Sequence, residues 1–184
     1  NGGAWAVSYT GAAQSKAYSG KTAGSYAYRI VACNPACCSA ASATGTVTVI
    51  YPPTLASIPS APSQAANGNY TVSWTAVSGA TSYQLDESAN GGAWTQVQSA
   101  AATSKAYTSK TAGSYGYRVR ACNAAGCGPN SASVSVQAIY PPTAAPAVSV
   151  PASSGNGAYT VSWTAVSGAT SYQLDESANG GAWT

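Results

Sequence analysis

The strongest constraint on this chain is an internal repeat of 89 residues that contains no insertion or deletion. The segment 70–95 recurs letter for letter as 159–184. Matching positions elsewhere carry the same large side chains, as in Trp5, Trp94 and Trp183, or Tyr26 and Tyr115, or Cys33 and Cys122. Repetition this close is typical of arrays in which each structural unit contacts mainly its neighbours.

The register of the repeat divides the chain into one complete unit and two halves. Residues 1–50 are the second half of a unit, residues 54–139 are a whole unit, and residues 143–184 are the first half of a third. Two interpretations stay open: a window on a longer periodic chain, or half units that are completed by neighbouring subunits. Both predict a linear, self-propagating object in which the chain is its own partner, head to tail.

The composition limits the class of protein. Charged residues make up 6% of the chain and the net charge is +3, and Phe, Met and His are absent. No apolar run is long enough to span a membrane, and isolated basic residues do not form a nucleic-acid footprint. Five Trp and thirteen Tyr with regularly spaced Val predict packed cores.

The cysteines predict disulfides. Cys33 with Cys38 and Cys122 with Cys127 occupy matching positions, each pair with four residues between. A disulfide that closes so short a loop stabilises the fold by roughly 2 kcal/mol. Disulfides persist in oxidising compartments, so the cysteines predict a secreted or cell-surface protein. A zinc site lacks ligands, since there is no His, so no metal or other cofactor is predicted. Cys37 has no matching cysteine, and three alternatives stay open: it is a free thiol, it competes with Cys38 for Cys33, or it links two chains.

The alternation of short apolar segments with Gly, Asn, Ser and Pro turns predicts an all-β fold, a seven-stranded antiparallel sandwich. The predicted strands of the complete unit are 55–58, 70–77, 81–88, 94–98, 104–108, 114–122 and 132–139. Alternation of faces along a strand gives the predicted core: Val72, Trp74, Tyr83, Leu85, Tyr115, Tyr117, Val119, Ala121, Val134 and Val136.

At these residues the chain resembles tandem fibronectin type III domains of secreted bacterial proteins. Trp74 matches the tryptophan of that family's strand B, Tyr83 and Leu85 match its strand C, and the segment 113–123 matches its strand F. The resemblance implies that Tyr115 is the tyrosine-corner residue and Tyr26 its equivalent. The leucine that usually precedes the corner is missing, and Ser109 or Lys110 lies near its place.

Two surface features stand out on the outer faces of the predicted strands. Arg118 and Arg120 alternate with Val119, and Asp86 is outward on the neighbouring strand of the family, which predicts a cross-strand ion pair. Trp94, with Trp5 and Trp183 in matching positions, follows a Gly-Gly turn. Such a residue caps its own sandwich or forms an interaction platform for glycans or a neighbouring subunit.

No catalytic machinery is predicted, so the chain is not expected to be an enzyme. There is no His to act as a base, and Asp86 and Glu87 are adjacent on a strand and therefore face opposite sides. The Pro-Pro joints at 50–53 and 139–142 stiffen the connections. The leading hypothesis is a structural protein, a homopolymeric extracellular filament or stalk. The alternative is an adhesin, or a carbohydrate-binding or spacer module of a secreted polysaccharide-degrading enzyme.

Overall fold

The computed structural model describes residues 4–184, and in this stretch all regular secondary structure is β-strand. The N-terminal half unit, described over residues 4–50, contains one antiparallel hairpin of β1 (Gly24–Tyr28) and β2 (Gly45–Val49). Across residues 4–184, no helix has the length and apolarity needed to cross a membrane.

The central unit, residues 54–139, is a sandwich of two sheets. Its strands are β3 (Pro59–Ser60), β4 (Gln64–Ala66), β5 (Tyr70–Trp74), β6 (Ser82–Ala89), β7 (Thr95–Ala100), β8 (Ser104–Tyr107), β9 (Gly113–Asn123), β10 (Gly126–Cys127) and β11 (Val134–Ile139). One sheet has the order β3-β5-β8. The other has the order β4-β11-β9-β6-β7, with β10 on β9. The longest pairing joins β6 to β9, antiparallel from Ser82 opposite Cys122 to Ala89 opposite Tyr115.

The core of the central unit lies between these sheets. Every predicted core residue is buried except Val134, which is only partly buried and packs against the others. Val72 and Trp74 of β5 face inward from one sheet, and Leu85 and Tyr117 face inward from the other. The period-2 pattern of the sequence therefore places the core correctly.

The predicted first strand, at 55–58, is wrong. Leu55 and Ile58 are exposed, and the chain pairs later, where Pro59 of β3 lies opposite Trp74. Residues 64–66 then cross to the other sheet and pair in parallel with β11. Proline lacks an N–H and is tolerated at an edge, so the edge strand is split in two rather than being one run.

Identical sequence takes different structure in the C-terminal half unit, residues 143–184. Its strands are β12 (Val148–Ser149) and β13 (Ser162–Trp163), which pair with each other. The letters of β6 recur at 171–178, yet that segment is not a strand. Leu85 is fully buried, whereas Leu174 in the matching position is 54% exposed. The strand therefore depends on its partner β9, which has no equivalent in this half unit.

This difference predicts unequal costs for one substitution at two positions. Leu85→Ala should lower the free energy of unfolding by about 2–5 kcal/mol, because it removes buried methyl groups and leaves a cavity. Leu174→Ala, in the same local sequence, should change it by less than about 0.5 kcal/mol in dilute, unassembled chain. Urea denaturation followed by tryptophan fluorescence measures both. If the two substitutions lowered the free energy of unfolding equally, the conclusion that Leu85 is buried in a core and Leu174 is not would be wrong.

Candidate functional site

A carboxylate lies inside the sandwich among tyrosines. Glu87 on β6 is opposite Tyr117 on β9, and the Tyr117 hydroxyl donates to Glu87 Oε2 at 3.0 Å. The Tyr70 hydroxyl lies 2.6 Å from the Tyr117 oxygen. Because Tyr117 uses its only proton on the carboxylate, Tyr70 is the donor in that second bond. A chain of two hydroxyls thus leads from β5 to the Glu87 carboxylate.

Lys110 supplies the counter-charge. Its Nζ lies 2.6 Å and 2.8 Å from the two carboxylate oxygens of Glu87, and within 4.9 Å and 4.7 Å of the ring centres of Tyr107 and Tyr115. Ammonium ions are attracted to the faces of aromatic rings. Lys110 therefore lies between two aromatic rings, and its charge is neutralised by Glu87.

Two hydrogen bonds hold the backbone at this corner. The Tyr115 hydroxyl donates to the Thr111 carbonyl at 3.0 Å, which confirms the predicted tyrosine corner. The Tyr140 hydroxyl donates to the Lys110 carbonyl at 2.6 Å, a contact that the sequence analysis missed. The sequence carries a signal for this contact, because tyrosine recurs at the same repeat position as Tyr51 and Tyr140. The Tyr51 hydroxyl makes the equivalent hydrogen bond to the Lys21 carbonyl. Residues at the joint thus fix the lysine of the preceding unit.

Burial changes the acidity of the tyrosines in this cluster. Loss of solvent raises the pKa of Tyr70, Tyr107 and Tyr117, because the phenolate cannot be hydrated inside the sandwich. The negative charge of Glu87 raises the pKa of all three further. The hydroxyls therefore stay protonated well above the usual range.

The N-terminal half unit presents one part of this cluster to solvent. Lys21 lies over the rings of Tyr18 and Tyr26 at 4.7 Å and 4.8 Å, close to the geometry around Lys110. An open cleft of about 410 Å³ is lined by Tyr18, Ser19, Gly20, Lys21, Tyr28, Val47, Val49 and Tyr51. Residues 1–50 contain no Asp or Glu, so the position that Glu87 fills beside Lys110 has no equivalent there.

The C-terminal half unit presents the remaining part. Glu176 and Tyr159 correspond to Glu87 and Tyr70, and Tyr159 is 60% exposed where Tyr70 is 8% exposed. A second cleft of about 250 Å³ is lined by Pro142, Ala144, Pro146, Val166, Ala169, Ser171, Tyr172 and Gln173. Residues 143–184 contain no Lys or Arg. Their only charges are the carboxylates of Asp175 and Glu176, so the two half units are opposite in charge.

Both disulfides are present in the structure. Cys33 bonds to Cys38 and Cys122 bonds to Cys127, the second closing the β9–β10 hairpin. Cys37 is a free, exposed thiol. No group of three His, Cys, Asp or Glu side chains within residues 4–184 is arranged to hold a metal ion.

Two of the three tryptophans of the predicted platform lie on Arg side chains. The Arg118 guanidinium is 4.5 Å from the Trp94 ring centre, and Arg29 is 4.4 Å from that of Trp5. Trp94 keeps 37% of its surface exposed, and Trp183 keeps 75%. Each of Trp94 and Trp5 is therefore half covered by its own unit, and Trp183 is largely open.

The predicted cross-strand ion pair is confirmed. Arg118 Nε lies 3.1 Å from Asp86 Oδ2, and Arg120 Nε donates to Gln84 Oε1 at 2.8 Å. Asp86 and Glu87 face opposite sides of the sheet, as predicted, and they bind different cations. Both carboxylates are mostly buried rather than solvated.

Comparison with known proteins gives one family match. Residues 63–140 match the family described as Chitinase A, N-terminal domain, which is less than half of the chain. None of the curated proteins compared with the chain matches it. Together with the two-sheet architecture, the family match supports a fibronectin type III-like fold.

Solved structures with limited likeness to the chain are also fibronectin type III proteins. The chicken CNTN1 FN1–FN3 domains share 24% identity over 76% of this chain, with a TM-score of 0.43, and the chain covers 52% of that structure. A Fn3-like protein from Clostridium thermocellum shares 27% identity over 48% of this chain and 94% of its own, with a TM-score of 0.39. The sixth fibronectin type III domain of a human fibronectin type III domain containing protein 3 shares 22% identity over 54% of this chain and 96% of its own, with a TM-score of 0.43.

Removing the buried cation should destabilise the central unit. Lys110→Met leaves the Glu87 carboxylate without a counter-charge, so we expect the free energy of unfolding to fall by about 2–3 kcal/mol. Adding Glu87→Gln should recover part of that loss, because the remaining polar group is neutral. Lys105→Met is the matched control, since Lys105 lies over the Tyr107 ring without an acidic partner within 4 Å among the described residues. A double-mutant cycle followed by urea denaturation measures the coupling free energy between Lys110 and Glu87. Additive effects of the two substitutions would show that the pair does not contribute to stability.

The raised tyrosine pKa values predict loss of stability at alkaline pH. Above the ordinary pKa of 10.0 the unfolded chain releases phenolic protons that the folded chain keeps, so the free energy of unfolding falls as pH rises. Each tyrosine contributes a slope of up to about 1.4 kcal/mol per pH unit. Urea denaturation between about pH 8 and pH 11 measures the slope. Tyr107→Phe should make it shallower, and a flat profile would contradict the burial of these phenols.

Proposed function

We propose that this chain is a structural protein, the repeat unit of an extracellular filament or stalk built from fibronectin type III domains head to tail. In this proposal residues 54–139 are one complete domain, 1–50 are the second half of a domain, and 143–184 are the first half of another. One observation carries it: the unit repeats every 89 residues without insertion or deletion, and the same Ile-Tyr-Pro-Pro joint recurs at 50–53 and 139–142. Units repeated in this way form a linear array, because each one contacts mainly its neighbours.

Contacts at the joint support a stiff connection between units. The Tyr51 carbonyl accepts a hydrogen bond from Asn123 Nδ2 at 2.8 Å, while the Tyr51 hydroxyl donates to Lys21 in the preceding unit. Pro53 is buried against the β9–β10 hairpin, and its carbonyl leaves no room for a side chain at Gly128. Two prolines restrict the backbone further. Such a joint transmits the orientation of one unit to the next, as a filament requires.

The disulfides and the low charge agree with an exported, non-catalytic role. Structural disulfides persist in oxidising surroundings, which supports secretion or display at the cell surface. The carboxylates Glu87 and Asp86 are each paired with a cation and serve the sandwich rather than a reaction. By its resemblance to tandem domains of secreted bacterial proteins, we assign the chain to a bacterium.

Filament formation can be tested directly on the 184-residue chain. We expect concentration-dependent growth into linear assemblies, because in the proposed filament the repeat unit is its own partner, head to tail. Sedimentation velocity over a wide concentration range measures the growth, and negative-stain electron microscopy shows the form. Dispersed single chains under all conditions tested would overturn the filament function.

A second candidate function is a carbohydrate-binding or spacer module of a secreted polysaccharide-degrading enzyme, or an adhesin. The family match to the N-terminal domain of a chitinase and the partly exposed Trp94 favour it. Its partners would be glycans, which stack their apolar faces on aromatic rings. Saturable binding to chitin or to a glycan array that is lost in Trp94→Ala would support this function. Tyr51→Phe is the control, because that change leaves the tryptophans in place.

A further inference from the structure

We infer that the outer face of the larger sheet of the central unit binds an acidic polysaccharide, whose sugar rings carry carboxylates. In this site Trp94 stacks on a sugar ring and Arg120 pairs with a carboxylate. The inference deepens the second candidate function, carbohydrate binding, on which it rests, and it does not require filament formation.

The pairing of β6 with β9 places two arginines side by side on the outer face. Arg118 lies opposite Asp86, and Arg120 lies opposite Gln84. Val119 between the arginines is buried in the core, so both arginines point to the other side of the sheet. Successive residues on one face of a strand are about 7 Å apart, so the arginines form an extended row along β9.

The indole ring of Trp94 lies at one end of this row. A Cβ built at Gly116 would be 3.3 Å from Trp94 Cη2, so the ring lies over this glycine, whose lack of a side chain permits the close approach. The Arg118 guanidinium, 4.5 Å from the ring centre, also supports it. Because Trp94 is still 37% exposed, the supported ring offers apolar surface on which a sugar ring can stack.

The two arginines differ in their partners. Arg118 Nε is paired with Asp86 Oδ2 at 3.1 Å. Arg120 Nε donates to the neutral side chain of Gln84 at 2.8 Å, and within residues 4–184 no carboxylate lies within 4 Å of Arg120. The bond to Gln84 leaves the two terminal nitrogens of the Arg120 guanidinium as donors. A guanidinium binds a carboxylate through parallel hydrogen bonds of this kind.

The free cation is specific to the central unit. The outward positions 114, 116, 118 and 120 of β9 correspond to positions 25, 27, 29 and 31 of the preceding unit. Serine and arginine recur at the first and third of these positions, but Ala27 replaces Gly116 and Val31 replaces Arg120. The inward positions carry two tyrosines, an aliphatic residue and an alanine in both units. Arg120 is therefore not a requirement of the repeat.

The chemistry of the face selects the class of ligand. On β6 and β9, the outward side chains other than Arg120 are neutral or already paired. Nucleic acid needs a larger set of cations than this face presents. A neutral glycan would stack on Trp94 but leave Arg120 without a partner. A polysaccharide with carboxylates on its rings satisfies both residues, because its rings stack and its carboxylates accept hydrogen bonds from the guanidinium.

Isothermal titration calorimetry of the intact 184-residue chain with soluble oligogalacturonate tests the inference. Two further probes separate the two contacts. The carboxyl-reduced form of the same oligosaccharide keeps the rings and linkages without the charge, and polyglutamate keeps the carboxylates without the rings. We expect oligogalacturonate to bind, and each of the two probes to bind at least about tenfold more weakly, as is typical when a charge-assisted contact is lost.

Two variants that each remove one positive charge form a matched pair. Arg120→Val introduces the residue found at the matching position 31, and Lys105→Met changes a lysine on β8 in the other sheet. We expect Arg120→Val to weaken oligogalacturonate binding about tenfold and Lys105→Met to bind like the wild type. Trp94→Ala should abolish measurable binding. Urea denaturation shows whether each variant stays folded.

The outcomes separate the inference from the function on which it rests. If neither oligogalacturonate nor neutral chitin oligosaccharides bind, carbohydrate binding and the acidic ligand are both wrong. If chitin oligosaccharides bind through Trp94 and oligogalacturonate binds no better than its carboxyl-reduced form, carbohydrate binding stands and the acidic ligand is wrong. If Lys105→Met weakens binding as much as Arg120→Val, or polyglutamate binds as tightly as oligogalacturonate, the chain responds to charge alone and the proposed site is wrong.

Discussion

The pairing of β6 with β9 is the interaction on which the central unit depends. It is the longest ladder of the sandwich, and it places Leu85 opposite Val119 and Glu87 opposite Tyr117. A strand gains its hydrogen bonds and its buried face only from neighbours, so neither β6 nor β9 can exist alone as it exists here. Where the partner is missing, at 171–178, the same letters do not form a strand.

The polar cluster shows how a sandwich poor in large aliphatic residues is held together. Four tyrosines, one lysine and one glutamate fill a region where hydrophobic side chains are usual, and each charged group is neutralised. Hydrogen bonds link Tyr70, Tyr117, Glu87 and Lys110 in this cluster, whereas the buried Tyr107 hydroxyl has no hydrogen-bond partner among the described residues and contributes through its ring. At matching repeat positions, residues 4–50 carry the lysine and three of the tyrosines, and residues 143–184 carry the glutamate and the fourth tyrosine.

Much of this could be predicted from the residues. Alternation along 70–74, 82–89 and 113–123 gives the core, and matching cysteines give both disulfides, because these features depend on local period and spacing. The ion pair of Arg118 and Asp86 follows from strand order. The pairing of Lys110 with Glu87 does not, because Lys110 lies in a loop and reaches the carboxylate across the sandwich. The split edge of β3 and β4 was also missed, since it depends on which neighbour each short segment meets.

The sequence by itself determined the repeat, the all-β character, the inward-facing residues and the opposite charges of the two half units, because each of these is a property of order and spacing. The tertiary structure alone decided which copies of an identical segment become strands and which tyrosines surround a charge. The reason is physical: the segment 70–95 meets its partners β8 and β9 and buries Leu85, whereas 159–184 has no such partners and leaves Leu174 in water.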